Sequence, residues 1–428
     1  MTAREGSTHA REKVRVLQRK LYRAAKAQPK RTFGVLFDKV CARDVLETAW
    51  EQVRRNRGSA GIDGETLEGI EAYGVERFLI DIEAELRTGR YRPQPVRRVF
   101  IPKPDGRQRP LGIPRVRDRV VQAAVRMVIE PLFEASFRPG SFGFRPKRGA
   151  RQAVQAIREG VNRGQDEVID LDLKSYFDTI DQDLLMKLVR RRVSDSRVLR
   201  LIRRWLRAGV MLDGRKEETL VGTPPGGVIS PLLANIYLHP LDVHWEREMK
   251  ATRMVRYADG LVVLCPKGHA EECMVVLRQF LETKLRLQVN EEKSRLTRAQ
   301  DGFDFLGVHF RKAPSRRDPR SSWCYAWPSC RSMKRVRSKV RAALGRDKRP
   351  SLRDKIQQLN PILRGWGNYF RGLNSSEHFR ELDRYTWWKL WRWVRRKHDG
   401  GWTGSSPSWA FFQEAGLHVL SGTVAYAR

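Results

Sequence analysis

The chain is poor in cysteine. It has five in 428 residues, at positions 41, 265, 273, 324 and 330, and no two form a Cys-x-x-Cys pair. That scatter argues against a zinc site and against a disulfide framework. The eight histidines show no ligand spacing either. A metal would therefore rest on carboxylates alone, which favours hard ions such as magnesium. Long uncharged apolar runs are also missing, so no membrane partner is expected. The opening residues Met1-Thr2-Ala3-Arg4-Glu5 lack an apolar signal core, and a cytoplasmic location is expected. Acidic residues are scarce beside basic ones, 49 against 84, for a net charge of +35. A soluble enzyme of a small neutral substrate has no need of that excess. It points to a polyanionic partner, nucleic acid first. The basic residues interleave with aromatics rather than forming a low-complexity tail, which fits nucleic acid better than generic solubility.

The length allows two or three domains. Residues 1 to about 55 read as helical, Asn56 to Gly64 as a glycine-rich loop, and Gly74 to Arg87 as a helix. Val96 to Pro102 and Gln108 to Ile113 read as a hairpin around the Lys103–Arg107 turn. Helices are expected over Asp118–Phe133, from Ala150, over about Gln182–Arg207, and through Leu241 after the run Gly222-Thr223-Pro224-Pro225-Gly226-Gly227. Residues 312 to 322 are polar and prolyl, and read as a linker or loop. A helical, basic, tryptophan-rich region follows, with helices near Met333–Ala343, Leu352–Trp366 and Tyr385–His398. Strands and helices mix without strict alternation, which argues for α+β rather than a doubly wound sheet.

Two carboxylates organise the functional reading. Asp172 closes the apolar run Val168-Ile169-Asp170-Leu171-Asp172. Asp259 sits in Met254-Val255-Arg256-Tyr257-Ala258-Asp259-Gly260-Leu261-Val262-Val263-Leu264, where Asp-Gly flanked by apolar residues predicts a tight hairpin. Taken singly, Asp172 could be a solvated strand-end acid and Asp259 simple turn chemistry. Together, on adjacent strands of a very basic protein, they suggest a site for two divalent metals that adds nucleotides to a nucleic-acid chain.

Around these acids, segment after segment resembles the group II intron reverse transcriptase/maturase family. Asp172-Leu173-Lys174-Ser175-Tyr176-Phe177-Asp178 and Tyr257-Ala258-Asp259-Gly260 are similar to its two catalytic motifs. Ser59-Ala60-Gly61-Ile62-Asp63-Gly64, Ile101-Pro102-Lys103-Pro104-Asp105-Gly106, Arg109-Pro110-Leu111-Gly112-Ile113-Pro114 and Ser141-Phe142-Gly143-Phe144-Arg145-Pro146 precede or separate them in the family's order. Gly227-Val228-Ile229-Ser230-Pro231-Leu232-Leu233-Ala234-Asn235, Phe305-Leu306-Gly307 and Arg364-Gly365-Trp366-Gly367-Asn368-Tyr369-Phe370 continue it, so that the likeness covers roughly residues 40 to 400. The resemblance implies a right-hand polymerase: an N-terminal helical extension over 1–90, fingers and palm over 91–311, a helical thumb over 312–400 and a tail over 401–428. It implies two magnesium ions at Asp172, Leu173 and Asp259. Lys103 and Arg109 would clamp the triphosphate of a dNTP, Phe177 would lie under its sugar, and Gly226 would let backbone approach it. Lys293 would face phosphate only weakly. Arg145, Arg364, Arg371, Arg392 and Arg395 would meet RNA. Trp387, Trp391 and Val394 recur at i, i+4 and i+7, so much of the tryptophan content reads as packing. The implied partners are intron RNA, an RNA template with a DNA primer, and a DNA target site.

Two positions depart from the family pattern. Gly260 stands where a second aspartate is usual, and Pro225 where a glutamine is usual. No His-Asn-His segment with paired cysteines is present, so second-strand cleavage of a target is not expected. Three functions stay open: an active reverse transcriptase and maturase, a polymerase-inactive maturase that binds RNA as a splicing cofactor, and a reverse transcriptase recruited to host defence or repair.

Overall fold

Leu261, Val262, Val263, Leu264 and Cys265 follow one another without a polar break. That is the pattern of a strand covered on both faces, and all five are buried. The computed structural model describes residues 3–102, 106, 108–212, 215–217, 221–223, 226–315, 318–397 and 407–426. Among them are strands β1 (Val96–Pro102), β2 (Gln108–Ile113), β3 (Glu167–Leu171), β4 (Val210–Leu212), β5 (Arg215–Glu217), β6 (Arg253–Tyr257), β7 (Gly260–Cys265), β8 (Arg295–Arg298), β9 (Phe303–Phe305), β10 (Val308–Pro314) and β11 (Ser322–Pro328). They form three sheets, ordered β2-β1-β4-β5, β6-β7-β3-β8 and β11-β10-β9. Pairing is antiparallel apart from β1 with β4, and the fold is α+β as the sequence implied.

The β6-β7-β3-β8 sheet separates two cores. Ile169, Leu171, Leu261 and Val263 join one with the helix Ser230–Glu248. That helix is apolar nearly all round, with Leu232, Leu233, Ile236, Tyr237, Leu238, Leu241 and Trp245 buried, as an enclosed helix must be. Val168, Val255, Val262 and Leu264 join the other core with the helix Ala150–Asn162 and the C-terminal helices. Those helices are Cys330–Leu344, Leu352–Phe370 and Ser376–Lys397. The first two begin where side chains cap them. Ser329 accepts from Ser332 N, and Ser351 forms a capping box with Asp354. Trp393 is fully buried, in keeping with the packing reading.

Several boundaries differ from the sequence reading. The helix expected over 182–207 is two, Gln182–Arg190 and Ser196–Leu206. Val193 between them pairs with Phe33, and Asp195 caps the second helix while accepting from Leu36 N and Phe37 N. That tertiary anchor breaks a helix that local periodicity would continue. Of residues 312–322, read as a linker or loop, 312–314 and 322 belong to strands, and 315 and 318–321 between them are loop. β10 and β11 pair from Val308↔Pro328 to Pro314↔Ser322, and the polar, prolyl composition belongs to an exposed hairpin end. The hairpin crosses the boundary expected at 311. Residues 407–426, read as a tail, fold back: Phe412 and Leu420 are buried, and Asp383 accepts from Leu420 N and Ser421 N.

His239 in the Ser230–Glu248 helix meets the Phe137 ring edge-on at 5.4 Å. Its Nδ1 is buried with no partner among the described residues. Burial pushes the imidazole down to about 4, with Asp242 pulling the other way. The folded value lies below the unfolded one, so this contribution to stability is present at neutral pH and is lost as pH falls from the unfolded range towards 4. Denaturant unfolding at pH 7 and pH 5 should show a loss of roughly 1–2 kcal/mol from this group. His239→Gln should lack that part of the pH dependence; the same dependence in both proteins would refute the assignment.

Candidate active site

β3 and β7 stay in register to their last pair, Leu171↔Leu261. One step further places Asp172 beside Gly260, and Asp259 immediately precedes it in the connection from β6. The two carboxylates therefore rise from neighbouring strands at the same end of one sheet, each half-buried. The turn leading into β8 fixes Asp172. Its backbone N donates to Ser294 Oγ (3.2 Å) and its carbonyl accepts from Asn290 N (2.9 Å). Its carboxylate accepts from Asn290 Nδ2 (3.4 Å) and Lys293 Nζ (3.1 Å). Lys293, expected only weakly near phosphate, is thus an ion-pair partner of Asp172. Sequence reasoning missed Asp170, yet it shares a strand face with Asp172 by simple alternation. Burial pushes its carboxyl up to about 6, and the Asp172 charge adds to the effect against Arg295.

The hairpin carrying Asp259 is shifted by one residue from the Asp-Gly expectation. Tyr257 pairs with Gly260, so the two-residue loop is Ala258-Asp259. The left-handed residue is Ala258, with φ of 60°. A positive φ at the first loop position alone is the type II′ pattern. Gly260 has an ordinary backbone, and a Cβ there would meet Phe305 and Tyr257 O at 3.5 Å, a normal contact. The turn does not require glycine at 260.

Other expected site residues gather in part. Leu173 is buried and bridges to Val289. Phe177 lies half-buried in the single-turn helix Tyr176–Thr179, edge-on to Tyr176 at 5.3 Å. Its carbonyl accepts from Thr223 N (2.7 Å), which ties Thr223 to the segment that follows β3. Gly226, with φ of 109°, packs against Gly112 so closely that a Cβ would collide with its carbonyl oxygen. That contact sets Gly226 against β2, where Arg109 pairs with Ile101. Lys103 and Pro225 lie outside the described residues.

The arginines expected to meet RNA divide. Arg364, Arg371, Arg392 and Arg395 are exposed. Arg392 lies 4.8 Å over Trp388, itself 41% exposed, and Arg395 lies 5.2 Å over Trp391. Arg145 lies in different surroundings from the other four. Its guanidinium is buried, donates to Glu134 and to the carbonyls of Arg138 and Ser141, and stacks on Phe137. Its Nε, both Nη1 hydrogens and one on Nη2 have acceptors inside the protein, so most of its donors are engaged away from the surface. Basic character in a motif did not reveal the acidic partner eleven residues away.

Sequence reasoning missed Arg256 as well. It is fully buried and forms a two-pronged ion pair with Asp242. Burial alone would lower its pKa, but Asp242, with Tyr176 and Asp259, holds it above the ordinary arginine value.

No group of three or more His, Cys, Asp or Glu able to hold a metal occurs among the described residues. The donors that do converge are carboxylates, which suit a hard divalent ion. No helix among the described residues is long and apolar enough to cross a membrane.

Residues 101–310 match the family described as reverse transcriptase (RNA-dependent DNA polymerase), and residues 333–406 match the maturase-specific domain of group II introns. Protein YkfC of Escherichia coli is 34% identical over 343 residues, 70% of this chain and 89% of the relative. Group II intron-encoded protein LtrA of Lactococcus lactis is 29% identical over 335 residues, 63% of this chain and 55% of the relative. Maturase-like protein 1 of Euglena gracilis is 24% identical over 365 residues, covering 83% and 74%. The chain thus spans about half the length of LtrA. The two matched segments, in this order, place the chain in the group II intron-encoded reverse transcriptase/maturase family.

Proposed function

We propose that this protein binds group II intron RNA, assists its splicing, and copies RNA into DNA at a site built on Asp172 and Asp259. The observation that carries this reading is the β3–β7 register, which sets both acids at one sheet end inside the matched reverse transcriptase segment. In a right-hand layout, residues 1–90 extend the fingers, residues from 91 to the β10–β11 hairpin form fingers and palm, and the helices after that hairpin form the thumb, with residues 407–426 packed onto them. Asp172, Asp259 and the Leu173 carbonyl would hold two divalent ions, magnesium by their chemistry. When bound, such ions stabilise the attacking 3′-oxygen and the leaving pyrophosphate. Arg109 and Lys103 would grip the triphosphate, Arg by a bidentate fork and Lys as a point charge. Phe177 would lie under the sugar and select dNTPs. Gly226 would let the loop backbone approach the nucleotide. The RNA template, DNA primer and DNA target site would lie along the basic surface.

A second reading, RNA binding and splicing assistance without polymerisation, has one observation in its favour. Gly260 has an ordinary backbone that accepts a Cβ, so the glycine is not a requirement of the turn.

RNA binding is common to both readings and is tested directly. Affinity for group II intron RNA should fall linearly on a log–log scale as salt rises. Replacing Arg364, Arg371, Arg392 and Arg395 together with Gln should reduce that slope by about 3 to 4, roughly one for each phosphate no longer neutralised. An unchanged slope would remove this surface from the RNA interface.

A further inference from the structure

Arg256 stands on β6 with no exposed surface. A buried guanidinium is costly unless every donor is matched. Here all five N–H groups have an acceptor. Nε donates to Asp242 Oδ1 (2.8 Å), and Nη2 to Asp242 Oδ2 (2.5 Å) and Ser141 Oγ (2.7 Å). Nη1 donates to Asn235 Oδ1 (2.9 Å) and to the carbonyl of Ala258 (2.9 Å). Four bonds go to the enclosed helix Ser230–Glu248 and the 139–149 loop. The fifth goes to the residue that precedes Asp259.

Ala258 is also the strained residue of the hairpin. Its φ of 60° is one that residues with a Cβ seldom adopt, and it persists only where the surroundings impose it. The surroundings here are specific. Arg256 N donates to Gly140 O and Phe142 N donates to Arg256 O, both at 2.8 Å, so the loop runs as an extra strand beside β6. Gly143 lies so close to Ala258 N that a Cβ could not be placed between them. Asn235 donates from Nδ2 to Gly143 O (2.9 Å) while accepting from Arg256, and so joins both holds. Apolar residues of similar volume would fill this space without a desolvation cost. A fully matched ion pair fixes the direction of one hydrogen bond, which apolar packing does not.

We infer that the Arg256–Asp242 pair, with Asn235, is a positioning device: it holds Ala258 in its left-handed conformation and so sets where the Asp259 carboxylate meets a divalent ion. The inference rests on the proposed reading of Asp172 and Asp259 as a metal site. Its test is Mn²⁺ binding to the full chain, followed by electron paramagnetic resonance, with thermal unfolding and RNA affinity measured on the same samples. Asp259→Asn should weaken Mn²⁺ binding; if it does not, the metal-site reading fails and the inference falls with it. Given an Asp259-dependent site, Arg256→Lys keeps the charge but removes the fork, and should weaken Mn²⁺ binding tenfold to a hundredfold, the range seen when supports of metal ligands are removed. RNA affinity should stay unchanged. Because Arg256→Lys could disrupt folding, the double variant Arg256→Met/Asp242→Leu supplies a packed apolar replacement, and the same weakening is expected from it. A folded double variant that binds Mn²⁺ as tightly as the natural chain would overturn the inference while leaving the metal site standing.

Discussion

Gly260→Asp is expected to raise primer extension on an RNA template by a hundredfold or more. Asp172 and Asp259 stand at the end of the β3–β7 pair, and the position beside Asp172 in the register is Gly260. Loss of a carboxylate from a two-metal site costs several kcal/mol of transition-state stabilisation, on the order of a thousandfold in rate. Restoring it should recover much of that, because the backbone at 260 accepts a Cβ. The left-handed φ lies on Ala258, and a Cβ at 260 would meet its neighbours at 3.5 Å. Extension measured with dNTPs and magnesium separates the two readings. Activity found only in the variant would make the natural protein an RNA-binding splicing cofactor. Equal activity in both would show that two carboxylates suffice and would discard the non-enzymatic reading.

Asp259→Asn, made in the Gly260→Asp background, should lower extension by about a thousandfold while leaving RNA affinity within about twofold. Asparagine keeps the side chain's shape and suits a turn, so the β6–β7 hairpin should persist. Only the charge is removed. Asp172→Asn should cost as much, although it also deprives Lys293 of its partner. That ion pair is about half exposed, 48% on the lysine and 38% on the aspartate, so its removal should change stability little. A fall in extension unaccompanied by a fall in melting temperature assigns the effect to chemistry. Extension that survives either substitution would remove that acid from the site.

Much of this was legible before any coordinates. The apolar runs ending at Asp172 and around Asp259 became β3, β6 and β7, because near-continuous β-branched and aliphatic residues stay buried whichever way the strands pair. Segments whose character depends on distant partners were not legible. Arg145 looks like a surface arginine until Glu134 and Phe137 enclose it. Residues 312–322 look like a linker or loop, and the strand character of 312–314 and 322 is hidden because β10 and β11 stabilise one another only as a pair. Asp195 looks like an ordinary polar residue until it holds Leu36 and Phe37.

Composition by itself pointed to a polyanionic partner, and pattern and motif order determined the α+β class and the family. These properties follow from residue type and sequence order, and pairing does not alter them. Only the tertiary structure decided which residue of the Tyr257–Gly260 hairpin bears the strain, that glycine at 260 is optional for the turn, and that the buried Arg256 donates to the Ala258 carbonyl. Each of those depends on register and enclosure: a shift of one residue exchanges which backbone must turn left-handed, and a charge becomes a support only when the fold surrounds it with acceptors.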